Sequence, residues 1–434
     1  MRTVKLDQAS IETLLAELLK RSPDSYGQYE ASVAEIIQNI RTRKDEALFA
    51  YTEQFDHVRL DADSIRVTEE EIEEAYEKVD PDLLEVIRKA LVNIRAYHEK
   101  QKRQSWFTTD ERGIMLGQKI IPLQKVGVYV PGGKAVYPSS VLMNVIPAKI
   151  AGVDEIIMTT PPGRDGKLNP STLVAAREAG VDVIYKVGGA QAVAALAYGT
   201  QSVPKVDKIV GPGNIFVALA KKAVYGQVGI DSVAGPSEIL VLADETANPR
   251  YVAADLLSQA EHDEMASAIL ITTSEELAAK VQEEIDGFLQ VLSRREIIEK
   301  SLENFGYILL ADSMEEAIDA ANAIASEHME IVTANPFEVM TKIRNAGAIF
   351  LGENSSEPLG DYFAGPNHVL PTNGTAKFFS PLGVDDFIKK SSVIYYSREA
   401  LEEIHEDIIQ FANCEQLTAH ANSIAVRFEK KEEK

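Results

Sequence analysis

Cysteine is almost absent from this chain of 434 residues, with Cys414 the sole example. One thiol excludes an intramolecular disulfide and fits a reducing compartment. Positive charge is also scarce: 44 Lys and Arg face 67 Asp and Glu, for a net charge of -23. That balance argues against nucleic acid as a partner, because phosphate binding needs basic patches. An acidic surface suits either simple solubility or a cationic small substrate. No apolar run approaches the length that spans a bilayer. The start, Met1-Arg-Thr-Val-Lys-Leu-Asp-Gln8, lacks the apolar stretch of a signal peptide. The expectation is a cytoplasmic protein with no membrane association. The G-x-G-x-x-G fingerprint of dinucleotide-binding proteins is missing too.

What remains is an ordinary globular composition, 45% hydrophobic and 26% charged, in a chain long enough for two or more domains. Residues 1 to about 105 read as helical: Ile11, Leu14, Leu15 and Leu18 recur at helical spacing. Thr68 and Glu71 have the spacing of a capping box. Asp80-Pro81 reads as an N-cap followed by a first-turn proline, opening a helix expected to run to Gln104. From about 120 the texture changes. Short β-branched runs at 126–130, 155–159, 181–186, 208–210, 238–243, 268–273, 307–310 and 348–351 alternate with helical stretches. Such alternation signals βαβ units and parallel sheets, and eight strands over this length suit two sheets better than one. The expected class is α/β, with two Rossmann-like parallel-sheet domains, a boundary near Gly235-Pro236, and helical N- and C-terminal extensions. The charged end from Glu429 to Lys434 reads as a solvated tail.

Three glycine-rich segments follow strands: Val128-Tyr-Val-Pro-Gly-Gly-Lys134, Gly188-Gly-Ala-Gln191 and Gly211-Pro-Gly-Asn214. Glycines there let backbone amides approach an anion at a helix N-terminus. Each alone is equally a plain turn; together, at the carboxyl ends of strands expected to be neighbours in a parallel sheet, they point to a cofactor crevice. Asp255-Leu-Leu-Ser-Gln-Ala-Glu-His-Asp263 reads as helix and puts Gln259 and His262 on one face. An amide oxygen beside an imidazole is half of a mixed N/O metal site, or else an exposed polar face. Candidates for the rest are Glu327-His328, Asp361, His368, Glu415 and His420. Glu327-His328, at an expected helix end before an apolar strand, suits acid–base work near neutral pH; a dipole-favoured terminal histidine would look the same. Asp361 falls in a Gly- and Pro-rich stretch expected to be a long loop. Ser237, in Ala234-Gly-Pro-Ser-Glu238, either contacts a substrate or caps a turn. Glu415 and His420, five apart, need a turn or a helix start between them.

These segments, in this order, resemble the histidinol dehydrogenase family from about residue 30 to 425. The resemblance rests on Val128-Tyr-Val-Pro-Gly-Gly, Gly188-Gly-Ala-Gln-Ala, Gly211-Pro-Gly-Asn, Asp231-Ser-Val-Ala-Gly-Pro-Ser-Glu, Leu256-Leu-Ser-Gln-Ala-Glu-His-Asp, Ser326-Glu-His, Gly360-Asp-Tyr, Gly365-Pro-Asn-His and Leu417-Thr-Ala-His-Ala. It implies oxidation of L-histidinol to L-histidine in two NAD-dependent steps, the last reactions of histidine biosynthesis, with one Zn(II) per subunit. Gln259, His262, Asp361 and His420 would ligate zinc. Glu327 and His328 would be the catalytic acid–base pair. Tyr129, Gln191 and Asn214 would contact NAD, and Ser237, His328 and Glu415 would hold substrate alongside the zinc ligands. The resemblance also implies a homodimer in which Glu415 and His420 act in the partner's site. The matching division is 1–22 as an N-terminal extension, 23–128 with 238–382 as the domain carrying the metal and acid–base residues, 129–237 as the NAD-binding domain, and 383–434 as a dimerisation segment. One residue departs: Gln416 stands where the family usually has glycine.

The roles implied by the resemblance would have His328 take the alcohol proton and Glu327 deprotonate a water that attacks the aldehyde, a hydrate route that needs no thiol. Rival readings are a zinc- and NAD-dependent dehydrogenase of a non-imidazole polyol, a metal-dependent hydrolase using Glu327, and a non-catalytic nucleotide-binding protein. The hydrolase leaves the glycine turns without a purpose, and the binding protein leaves the acid–base residues without one. The N/O ligand set also suits Mn(II) or Co(II).

Overall fold

The computed structural model describes residues 1–21, 27–132 and 137–429. Gly133 and Lys134 of the first glycine-rich segment, and the tail from 430, lie outside them. The protein divides into two compact units, one of Met1–Lys102 with Leu123–Phe387 and the other of Arg103–Pro122 with Ile388–Lys434.

The larger unit contains two parallel sheets. Strands Lys125–Tyr129, Glu155–Thr160, Val183–Lys186, Lys208–Val210 and Gly229–Ile230 form the first, in spatial order 3-2-1-4-5 by chain position. The second is built from Glu238–Ala243, Ser267–Thr272, Gly306–Leu310, His328–Val332 and Ala348–Leu351, again 3-2-1-4-5, with Arg2–Lys5 added beside Gly306–Leu310. This is the order of dinucleotide-binding sheets, reached twice. The strands read as nearly unbroken apolar runs because helices cover both faces. In the second sheet Leu240, Leu242 and Ile331 pack toward one helical layer, and Ile239, Val241 and Ile308 toward the other. The first sheet alternates in the same way, with Val126 and Ile156 on one side and Ile157 and Ile209 on the other.

Local rules set many boundaries. Thr68 and Glu71 form the capping box of helix Glu69–Lys78, and Asp80 caps helix Pro81–Glu99 with Pro81 in its first turn. Three expectations are corrected. That last helix stops at Glu99 instead of Gln104. The N-terminal part is not wholly helical: Arg2–Lys5 adds to the second sheet in parallel register with Tyr307–Leu310, a four-residue edge strand too short to show a period. The C-terminal part is helical only from Arg398 onward, because Ile388–Tyr396 is a nine-residue strand.

In the smaller unit Ile388–Tyr396 lies antiparallel to Ile114–Pro122, which also pairs with Trp106–Thr109. Helices His405–Cys414 and Thr418–Ala425 follow. The sheet leaves Trp106, Phe107, Ile394 and Tyr395 exposed.

Candidate active site

The glycine-rich turns meet at the carboxyl edge of the first sheet. Lys125–Tyr129 and Lys208–Val210 are neighbours there, the point at which strand order reverses and ligands bind in such sheets. Val183–Lys186 is not adjacent to them as expected: Glu155–Thr160 intervenes and contributes a fourth turn, Pro161-Pro162-Gly163. A cavity of about 1230 Å³ opens at this edge, lined by Tyr129, Gln191 and Asn214 among others. The Tyr129 hydroxyl accepts the Gly189 N–H at 3.1 Å, and burial pushes its pKa up to about 12. Asn214 caps helix Ile215–Val224 through Oδ1. Gly211 sits at φ +112, and a Cβ there would lie 2.1 Å from the Tyr129 carbonyl oxygen. Its peptide is clamped: the Gly211 N–H donates to Asp231 at 2.8 Å, the Lys221 ammonium donates to its carbonyl at 2.9 Å, and Lys221 and Asp231 are ion-paired.

Two polar atoms at this cavity are buried without a partner, Gln191 Oε1 and Asp56 Oδ2. Unpaired buried polar atoms are costly, so a polar ligand is what the crevice fits. Asp56 was not singled out from sequence. Burial raises its pKa to about 6.

The second cluster lies at the opposite, amino edge of the other sheet. Glu327 and His328 are not at a helix end. Helix Met314–Ile324 stops at Ala325 with φ +54, and His328 opens strand His328–Val332. Both are buried. The short β-branched run after them was legible as a strand, but its start was not. His328 Nδ1 lies 3.0 Å from the Glu238 carbonyl and 3.7 Å from the Glu327 carboxylate, and Nε2 lies 3.5 Å from Asp361. Donation from Nδ1–H to the carbonyl leaves Nε2 to face reacting atoms. The Glu327 carboxylate accepts the Glu238 N–H at 2.9 Å.

Asp361 is not in a loop but in a short helix, Glu357–Tyr362, which puts it one turn from Glu357. His368 holds it from behind, Nδ1 against the Asp361 carbonyl at 3.1 Å. Ligand atoms of His328, Glu357 and Asp361 all lie within 4.8 Å of one another. Gln259 occupies the last turn of helix Pro249–Ala260, while His262 lies just past it in a turn closed by its N–H to the Gln259 carbonyl at 3.1 Å. Gln259 is 1% exposed, and neither amide atom has a partner among the described residues. The His262 side chain is exposed in a single chain, though crowding by surrounding protein lowers its pKa. Ser237 is half-buried at the entry to strand Glu238–Ala243.

Electrostatics at this edge are dominated by burial. It raises Glu327 to about 8 and, with Asp361 nearby, Glu357 to about 8. Burial alone would lower His328, but Glu327 and Asp361 outweigh it and bring the imidazole up to about 10. Burial would also raise Asp361, but the hydrogen bond to His328 and the charge of His368 hold it down near 2. The buried Gln259 amide oxygen and the Asp361 carboxylate are donors of the N/O kind that zinc accepts, and His328 Nε2 lies 3.5 Å from that carboxylate. Glu357 joins that set and was missed from sequence; its spacing of four from Asp361 would have been the signal on a helix.

Glu415 and His420 belong to the smaller unit, and both are exposed. Glu415 caps helix His405–Cys414, and Gln416 turns the chain at φ +61 before helix Thr418–Ala425. That is a conformation glycine adopts without penalty.

A glycine-lined crevice at one sheet's carboxyl edge and a buried Glu327–His328 pair at the other's amino edge give a two-sheet α/β protein two places for chemistry. Comparison with known proteins makes this specific. The histidinol dehydrogenase family profile matches residues 19–428. A histidinol dehydrogenase of Caldanaerobacter subterraneus subsp. tengcongensis is 61% identical over 396 residues, covering 91% of this chain and 92% of that protein. One from Clostridium acetobutylicum is 58% identical over 417 residues, covering 96% of each. The crystal structure of histidinol dehydrogenase from Elizabethkingia anophelis superposes with a TM-score of 0.92 at 37% identity, covering 98% of both chains. The chain belongs to the histidinol dehydrogenase family and is an oxidoreductase.

Proposed function

We propose that the protein oxidises L-histidinol to L-histidine with two NAD and one water, as a zinc-dependent homodimer in the cytoplasm. The observation that carries this reading is the buried Glu327–His328 pair beside Asp361, together with a buried Gln259 amide that has no partner among the described residues and follows Ser258, whose hydroxyl donates to Glu357 at 2.9 Å. Gln259, His262 and Asp361 would hold zinc, together with His420 from a second copy. Zinc would anchor the amine and imidazole nitrogens of the substrate, and NAD, held by Tyr129, Gln191 and Asn214, would accept a hydride in each step.

The protein's own groups do the rest. Ser237 and Glu415 orient the substrate. His328 presents Nε2 to the alcohol proton, its tautomer set by the Glu238 carbonyl. Glu327 and then Asp361 hold His328 protonated; a cation engaging Asp361 would withdraw the second of these and move the imidazole toward its base form. Glu327 then takes a proton from water as it attacks the aldehyde; a carboxyl raised to about 8 is suited to hold that proton near neutral pH.

Dimerisation is supported by exposure in the smaller unit. His420 and Glu415 are open to solvent, as are Phe411 and Leu417 beside them. The division proposed is an NAD-binding part at 129–237 and a catalytic part at 23–128 with 238–382, with 1–22 and 383–434 as extensions; strand Lys125–Tyr129 crosses the first of these boundaries, and Arg2–Lys5 of the N-terminal extension belongs to the second sheet. Among the described residues no helix is long and apolar enough to cross a membrane. Metal analysis and chelation test the reading. Stoichiometric zinc whose removal abolishes histidinol oxidation is expected; full turnover by metal-free protein would refute it.

A further inference from the structure

The acid–base pair rests on a buried charge contributed by the N-terminal extension. Arg21, just past helix Gln8–Leu19, is 0% exposed. A guanidinium stays protonated in proteins, so a charge is held here away from water, and an uncompensated buried charge is strongly unfavourable. The carboxylate facing it is Glu238, with Nη1 to Oε1 at 3.4 Å. Nη2 donates to the carbonyls of Pro236 and Ser237 at 3.0 and 3.3 Å. Arg21 thereby grips the strand entry that carries Ser237 and Glu238.

Glu238 in turn grips Glu327 from two directions. Its N–H donates to the Glu327 carboxylate at 2.9 Å, and its carboxylate accepts the Glu327 N–H at 3.3 Å. Its carbonyl meets His328 Nδ1, and its carboxylate also accepts the Asn373 N–H at 3.2 Å. Glu238 opens its strand and pairs with Ser267 on one side; on the other side the ladder starts one residue later, at Ile239 with His328, so the Glu238 side chain and its contacts to Glu327 lie outside that ladder.

We propose that Arg21 and Glu238 are positioning residues: the ion pair fixes the peptide at 327–328 and aims the Glu327 carboxylate at the water it activates. This rests on the reading of Glu327 as the water-activating group in aldehyde oxidation. A loosened Glu327 slows that half-reaction selectively, whereas loss of the fold slows both together.

The test uses zinc-loaded protein and measures oxidation of L-histidinol and of the separately supplied aldehyde. Bound zinc, melting temperature and KM for histidinol are recorded for each variant. Glu327→Gln is the control, expected to impair the aldehyde step more than the alcohol step. Arg21→Met and Glu238→Gln are expected to reproduce that selectivity, with at least a tenfold fall in the aldehyde step, unchanged zinc and KM within about twofold. Arg21→Lys should restore part of the loss. If Arg21→Met does not fold, Glu238→Gln carries the test. Equal loss in both half-reactions, or no loss, in folded Arg21 and Glu238 variants while Glu327→Gln remains selective would overturn the inference alone. An unselective Glu327→Gln would overturn the reading beneath it.

Discussion

The His328 imidazole lies 3.5 Å from the Asp361 carboxylate through Nε2, the nitrogen left over once Nδ1 faces the Glu238 carbonyl. That contact links the Glu327–His328 pair to Glu357 and Asp361, so a change in the charge on Asp361 is felt directly by the imidazole. Sheet geometry makes the contact possible. His328 begins its strand, and Asp361 sits on the short helix Glu357–Tyr362 that follows the neighbouring strand Ala348–Leu351.

Gln259→Leu separates ligation from structure. In metal-free protein both amide atoms are buried and unpartnered, and an unsatisfied buried group costs about 1–3 kcal/mol. The leucine variant is expected to melt at a higher temperature than the parent when both are stripped of metal, and to bind zinc more weakly. Calorimetry with zinc titration checks this. Lower stability combined with undiminished zinc affinity would show that the amide serves packing instead.

Asp56 gives a stability effect with a defined sign. Burial raises its pKa from 3.8 to about 6, so the folded protein favours the protonated carboxyl more than the unfolded chain does. Stability from this site is therefore greatest below the unfolded pKa and declines as pH rises through the window up to about 6. Asp56→Asn is expected to raise the melting temperature at about pH 7.5, with the gain shrinking as pH falls toward about 4.5. A gain that grows toward acid pH would mean that the carboxylate is stabilised where it stands.

Much of the fold was legible because the strands of both sheets are short, β-branched and punctuated by turns. Lys208–Val210, Glu238–Ala243 and Ala348–Leu351 lie where the sequence puts them. Arg2–Lys5 and Ile388–Tyr396 were missed because pairing with distant strands, not local pattern, makes them extended. At the candidate site, the motifs single out Gln259, His262, Glu327, His328 and Asp361, of which the structure brings Glu327, His328 and Asp361 into contact. They did not reveal Arg21, Glu238 or Glu357, whose roles come from contacts between residues up to 217 positions apart in a chain read locally. Gln416 reads as a departure in sequence and as a left-handed turn in structure.

Cys414 is exposed and adjoins Glu415, so thiol chemistry is the obvious competitor to the hydrate route. Cys414→Ser is expected to keep most of the activity with both histidinol and the aldehyde. A loss above roughly a hundredfold, about 2.7 kcal/mol of barrier, would point to a thiohemiacetal instead.

The most direct measurement is the yield of NADH from a limiting amount of L-histidinol on the zinc-loaded protein. Two NADH per histidinol, with L-histidine as product and no aldehyde released, are expected. One NADH with free aldehyde, or no NADH at all, would contradict a single site in which His328 serves the first oxidation and Glu327 the second.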